Sequence, residues 1–293
     1  MISNVYKYIT DRIVEELQKG NVPWKKPWKG LKALNYVSRK EYQGINTLLL
    51  PFPGEYLSFK QCKELGGSVK KDEKSHMIVY YKWYEKETGE FDEKGKPVVD
   101  SYPILLYHNV FHISQCEGIE SRFDSELSAN SNSILEQAEK VVGDYIARED
   151  IKLNIIKGSD KASYNPIMDT IVMPDIKQFI SSEEYYSALF HESVHSTGHE
   201  KRLKRIAKDK SHSYGSKEYS KEELVAEIGS TFLCNSVGID CSTTFSNSVA
   251  YIQGWLEALK NDITLIASAS TAAQKAVGCI LKDNETEIVN EAR

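Results

Sequence analysis

Apolar positions recur at helical spacing from the start of the chain. The opening MISNVYKYITDRIVEELQKG predicts an amphipathic helix ending near Lys19 and Gly20. Farther on, Ser58 to Gly67 reads as a short helix begun by a capping serine and stopped by glycine. The period then falls to that of a strand. Met77 to Tyr84 and Tyr102 to Phe111 are rich in β-branched and aromatic residues and are predicted to pair, with the charged stretch 85–100 as their exposed connection. Residues 117–133 are polar, with few apolar anchors, and are predicted to form a linker. Helical periodicity returns at Ile134, Leu135, Ala138, Val141, Val142 and Tyr145, followed by strands at 152–156 and 170–173, the second stopped by Pro174. Ser181 and Ser182 open a helix carrying Tyr185, Tyr186, Ala188, Leu189 and Phe190, which Gly198 ends. A last apolar stripe, Leu224, Val225, Ile228 and Phe232, lies on a helix that Ser220 is placed to cap. The pattern predicts an α+β chain in two domains, 1–116 and 134–293, joined by 117–133.

Length and composition agree with this division. With 293 residues, 41% of them hydrophobic, the chain can support two modest domains, each with its own core. There is no window of eighteen uninterrupted apolar residues, and the first helix carries acids rather than a basic lead and a greasy centre, so the sequence predicts a cytoplasmic protein with no membrane partner. Cys62, Cys116, Cys234, Cys241 and Cys279 are scattered, without a C-x-x-C, which predicts reduced thiols and disfavours a cysteine zinc site. The net charge of -5 hides an asymmetry: residues 1–80 hold 14 Lys and Arg against 8 Asp and Glu, the remainder 23 against 34. A basic front and an acidic rear imply different partners.

The chemistry centres on His191-Glu192-Ser193-Val194-His195, an H-E-x-x-H. On a helix, His191 and His195 share one face and can hold one metal ion, while Glu192 lies beside the open coordination position as a general base. Neutral imidazole suits Zn2+, with another divalent transition metal possible. Catalytic zinc usually takes three protein ligands. The extended pattern ending in a third histidine fails, because Lys201 stands at that position; His199 qualifies only if the helix runs through Gly198. Glu223 and Glu227, one turn apart beside the later stripe, resemble the gluzincin arrangement: Glu223 as third ligand and Glu227 as the group that orients a ligand histidine, with Glu222 or Glu227 as rival ligands. Glu222 best fits a solvated acidic helix face.

In the basic front, the stretch from Asn21 to Lys32 holds two prolines and a glycine, so it predicts a loop presenting Trp24 and Trp28 among Lys25, Lys26 and Lys29. Rings and cations interleaved in this way suit single-stranded nucleic acid, and equally suit two buried indoles with solvated lysines around them.

From end to end the chain resembles the ArdC-type antirestriction proteins of plasmids and other mobile elements. The likeness rests on PWKKPW, YQGIN, SFKQCKELGG followed by VKK, VFHISQ, SYNPIMDTIVMP, HESVHSTGHEKRL, YGSKEYSKEELVAEIGSTFLC and YIQGWLEALKND; Asp72 and His112 depart from the usual pattern. The resemblance implies an N-terminal domain that binds single-stranded DNA and a C-terminal zincin-like metallopeptidase domain, together shielding entering DNA from host restriction. It also implies that similar modules occur in conjugative primases. On that basis Trp24, Trp28 and Tyr42 are expected to stack on bases. Lys25, Lys26, Lys29, Lys60, Lys70 and Lys71 are expected to meet phosphates, and Asn46 and Gln61 to hydrogen bond with the strand. The peptidase substrate is unspecified, with a host restriction protein or another DNA-bound protein as the implied class. The alternative is a strand-coating protein whose metal site is structural or inactive.

Overall fold

The computed structural model describes residues 2–19, 22, 32–91, 97–122, 131–157, 159, 161–206, 217–240 and 248–282. Helix α1 (Ile2–Gln18) buries Ile9, Ile13 and Leu17, one residue per turn along a single stripe. The stripe packs on the far end of the chain, where the Thr10 hydroxyl donates to the Ile263 carbonyl at 2.7 Å.

The front sheet has the order β1-β2-β5-β4, from β1 (Ala33–Asn35), β2 (Gly54–Ser58), β4 (His76–Phe91) and β5 (Pro97–His112). β1 runs parallel to β2, and the other pairs are antiparallel. β4 and β5 are 16 residues each, so most of the stretch expected as a connection is strand. Pairing continues through Glu85↔Ser101, Lys86↔Asp100 and Glu87↔Val99 to Phe91↔Pro97. Most residues of β4 there are charged or polar, which blurs the period-two signal while the backbone ladder continues.

Helix α2 (Ile45–Leu49) is tied to β4 by Asn46, whose amide donates to the Val79 carbonyl at 2.8 Å and accepts from the Val79 N–H at 2.7 Å. Helix α3 (Phe59–Glu64) has the expected start and stop. Ser58 and Gln61 form a reciprocal capping box, and Gly66 follows the helix at φ +81°. A small ribbon pairs β3 (Ser68–Val69) with β6 (Cys116–Glu117). Part of the expected linker is fastened to this front sheet: the buried Glu55 carboxylate accepts from the Ser121 hydroxyl and the Arg122 N–H, both at 2.8 Å, and pairs with Arg39. Burial opposes its charge, but those bonds outweigh it and lower the Glu55 pKa. The linker's last residues lie in the next helix, α4 (Ser131–Glu149).

The rear sheet, in the order β7-β9-β8, comprises β7 (Lys152–Ile156), β8 (Ser163–Asn165) and β9 (Thr170–Pro174). Four helices follow: α5 (Ser182–Thr197), α6 (Lys217–Val237), α7 (Ser248–Asn261) and α8 (Leu265–Leu281). Helix α5 starts with Ser181 accepting from the Glu184 N–H and ends at Gly198, as the sequence predicts. Helix α6 begins three residues before Ser220, which therefore lies inside the helix and is not its cap. Gly229 lets α5 and α6 approach closely, since a Cβ there would meet Val194 at 2.9 Å.

One continuous core unites the two parts. Ile9, Ile13, Leu49, Val79 and Leu105 from the front belong to the same buried cluster as Tyr145, Phe190, Leu224, Leu259 and Ile266 from the rear. The front adds two small clusters, one around Tyr56 and one around Cys62 and Cys116. A separate core for each domain was the expectation; α1 overrides it by lodging its stripe against the rear helices. No single helix among the described residues is long and apolar enough to cross a membrane.

Candidate metal centre

His191 and His195 lie one turn apart on α5, their rings 4.8 Å apart and nearly perpendicular, with the two Nε2 atoms 3.1 Å from each other. From α6, the Glu223 carboxylate reaches across to both: Oε2 lies 3.5 Å from His191 Nε2, and Oε1 lies 3.4 Å from His195 Nε2. Donor atoms of the three residues lie within 4.8 Å of one another. The separations can be tested against the chemistry. A tetrahedral centre with metal–ligand bonds of about 2.0 to 2.2 Å requires ligand atoms about 3.3 to 3.6 Å apart. The Nε2-to-carboxylate separations of 3.4 and 3.5 Å, each made by a different Glu223 oxygen, fall in that range, and the Nε2–Nε2 separation of 3.1 Å lies just below it.

A second ring of acids holds the imidazoles from behind. Glu227 Oε2 lies 3.6 Å from His191 Nδ1, and Glu222 Oε1 lies 3.4 Å from His195 Nδ1. Glu222 is itself clamped by Arg205, whose guanidinium donates to its two oxygens at 2.9 and 3.2 Å and also to Thr197 Oγ1 and the Val194 carbonyl. Glu222 is thus no solvated face residue: its side chain is only 14% exposed. Burial alone would lower both histidine pKa values. The facing carboxylates win, raising His191 well above the ordinary value and His195 to about 9. Burial pushes Glu223 and Glu222 up, yet the histidines, with Arg205 at Glu222, bring both below the ordinary carboxylate range. Glu192 is buried on the same helix, and its charge adds to the rise at His191.

His199 takes no part. Its Nδ1 accepts from the Lys201 N–H at 3.2 Å and lies 3.8 Å from Asp169. Asp169 holds Arg202, and Tyr164 donates to it at 2.8 Å, while the Arg202 Nε donates to the Ser196 carbonyl at 2.8 Å. This network fastens the β8–β9 turn to the end of the histidine helix.

The expected DNA contacts are scattered. Trp24, Lys25, Lys26, Trp28 and Lys29 lie outside the described residues. Tyr42 packs edge-on against Tyr56, and the Asn35 amide donates to its hydroxyl and to Gln61 Oε1, both at 3.4 Å. Gln61 Oε1 already accepts from the Ser58 N–H, so it serves the α3 cap. Asn46 has its amide oxygen and nitrogen both engaged by Val79, which makes it a cross-link between α2 and β4. Lys60, Lys70 and Lys71 are all exposed; the Lys70 ammonium donates to the Ser114 carbonyl at 2.8 Å, and Lys60 lies 3.7 Å from Glu64.

An H-E-x-x-H helix crossed by a glutamate helix, behind a mixed front sheet, defines a zincin-like protein with an added N-terminal domain. The zincin-like metallopeptidase family model matches residues 136–272, and the model for the N-terminal domain of anti-restriction factor ArdC matches 3–111. The metal-free crystal structure of the antirestriction protein ArdC from plasmid R388 is 34% identical, covers 94% of this chain and 96% of its own, and superposes with a TM-score of 0.73. Its Mn(II)-bound form is 33% identical, covers 94% and 97%, and superposes at 0.70. The DNA primase TraC of Escherichia coli is 32% identical over 97% of this chain, which spans 27% of that primase's length. The chain belongs to the ArdC family of antirestriction proteins.

Proposed function

We propose that this chain is an antirestriction protein of a mobile element that binds single-stranded DNA and carries a divalent-metal peptidase centre, with zinc as the fitting ion. The observation that carries the reading is the gathering of His191, His195 and Glu223, their donor atoms within 4.8 Å of one another, beside the buried acid Glu192. An ion there supplies Lewis-acid polarisation of a peptide carbonyl and a more acidic water. The protein's own groups do the rest. Glu227 and Glu222 fix the two ring orientations from their Nδ1 sides, and Arg205 fixes Glu222. Glu192 takes the proton of the attacking water at its carboxylate and returns it to the departing amine.

Membership of the family supports the DNA reading, as does the basic front of the sequence. If about four to six phosphates are neutralised, log affinity should fall with log salt at a slope of about -3 to -4. Filter binding over a salt series measures it, and a flat response rejects an electrostatic contact with the strand.

Glu192→Gln is expected to retain the metal, by mass spectrometry, and to lose hydrolysis of a protein substrate; loss of the metal instead would show Glu192 to be a ligand. The same variant separates peptidase from strand coating. Protection of incoming DNA from restriction should fall in Glu192→Gln if hydrolysis is needed, and persist if coating suffices.

A further inference from the structure

We propose that the outer face of the β4–β5 hairpin is a base-stacking platform for single-stranded DNA; this rests on the DNA reading above and gives it a location. Register fixes which side chains share a face: Tyr80, Lys82, Tyr84 and Lys86 of β4 stand with Asp100, Tyr102, Ile104, Leu106 and His108 of β5. The opposite face carries Met77, Val79 and Leu105 into the core, with Tyr107, Trp83 and Glu85 also on that side.

Three observations point to a nucleic acid rather than a protein. Rings on the outer face lie flat against one another: Tyr80 stacks on His108 at 4.8 Å and 17°, and Tyr84 lies against Tyr102 at 6.4 Å and 24°. Such rings would ordinarily be buried, yet Tyr84 and Tyr102 are 36% and 44% exposed. Charge is sorted by face. Lys82 and Lys86 are on the ring side, with Lys82 Nζ 5.3 Å from the centre of the Tyr84 ring, while Glu85 is on the other. Asp100, an acid on the ring side, sits directly opposite Lys86. Flat rings beside cations, with acids turned away, match a strand that offers bases and phosphates together. The two ring pairs are four residues apart along β4, about 13 Å, far enough to serve separate bases.

The test uses the full chain and a fluorescent single-stranded oligonucleotide, followed by anisotropy. Tyr84→Ala with Tyr102→Ala should weaken binding about tenfold or more, and Lys82→Glu should weaken it and flatten the salt slope by about one contact. Trp83→Ala and Glu85→Lys, on the other face, should not weaken it. Unchanged melting temperatures establish that the variants are folded. Equal binding by wild type and all variants overturns the platform and leaves the DNA reading standing. Loss in the Trp83→Ala variant equal to that in the tyrosine pair also overturns it, because the effect would not belong to one face. Failure of the wild type to bind the oligonucleotide would overturn both.

Discussion

At the scale of single residues, the informative position is Glu222. Sequence places it next to Glu223 on a run of acids, and nothing in the spacing shows that the chain before α6 returns an arginine to meet it. The structure supplies that arginine, and the pair fixes the Nδ1 side of His195. Glu222→Ala is therefore expected to cost about 10- to 100-fold in metal affinity, the usual penalty for losing a group that orients a ligand. Chelator competition measures it. Arg205→Ala should produce a smaller loss in the same direction, because Glu222 keeps its place on the helix. Unchanged affinity in Glu222→Ala would reduce the contact to a passive neighbour. By contrast the pairing of His191 with His195 is legible in the sequence, since helical geometry alone brings i and i+4 to one face, while a stripe beside an acid pair points to Glu223 and leaves Glu222 and Glu227 as rivals.

Among the elements, those with a buried stripe and clear stops were readable: α3, α5 and β9 lie where capping serines, glycines and Pro174 put them. Elements stabilised by distant partners were not. Asn46 sits in YQGIN, where its amide looks available to a ligand, but α2 is only five residues long and needs an external anchor. Asn46→Ala leaves the Val79 N–H and carbonyl unpaired and should cost about 1 to 3 kcal/mol in urea unfolding. A loss of DNA affinity without a loss of stability would instead assign it to the strand. A second tie, Asp169 with Arg202, carries a pH signature. Burial raises the Asp169 pKa, but the bonds from Arg202 and Tyr164 outweigh it and leave the pKa below the ordinary range. The pair's contribution is therefore complete above the unfolded carboxyl's pKa of about 4 and is lost as pH falls through the lower folded value. Asp169 also has φ +49°, a conformation asparagine tolerates. Asp169→Asn should therefore remove part of the acid dependence of stability while keeping the turn, and parallel pH profiles for the two proteins would refute the assignment.

For the molecule as a whole, the question is whether front and rear fold as one unit. Their sequences differ in charge, and family models divide them, which favours independence. Burial favours union. The α1 stripe ends in the rear helices, the Thr10 hydroxyl donates to the Ile263 carbonyl at 2.7 Å, and Leu48 and Leu49 of α2 share a cluster with Ile266 of α8. A cluster continuous across the division means that exposing one part strips apolar cover from the other, so unfolding should be a single transition in calorimetry. Two consequences test this from opposite ends. Ile13→Ala, a truncation in α1, should cost about 2 to 5 kcal/mol and lower the stability of the metal helices as much as that of the front sheet. Conversely, a divalent ion at 100 times its dissociation constant should add about 2.7 kcal/mol to the whole. Hydrogen exchange should then slow at the β2 and β5 amides as much as at α6. Two calorimetric peaks, with only the later one moved by metal, would show that the shared cluster is an interface between separate folding units, and α1 would then be a docked arm.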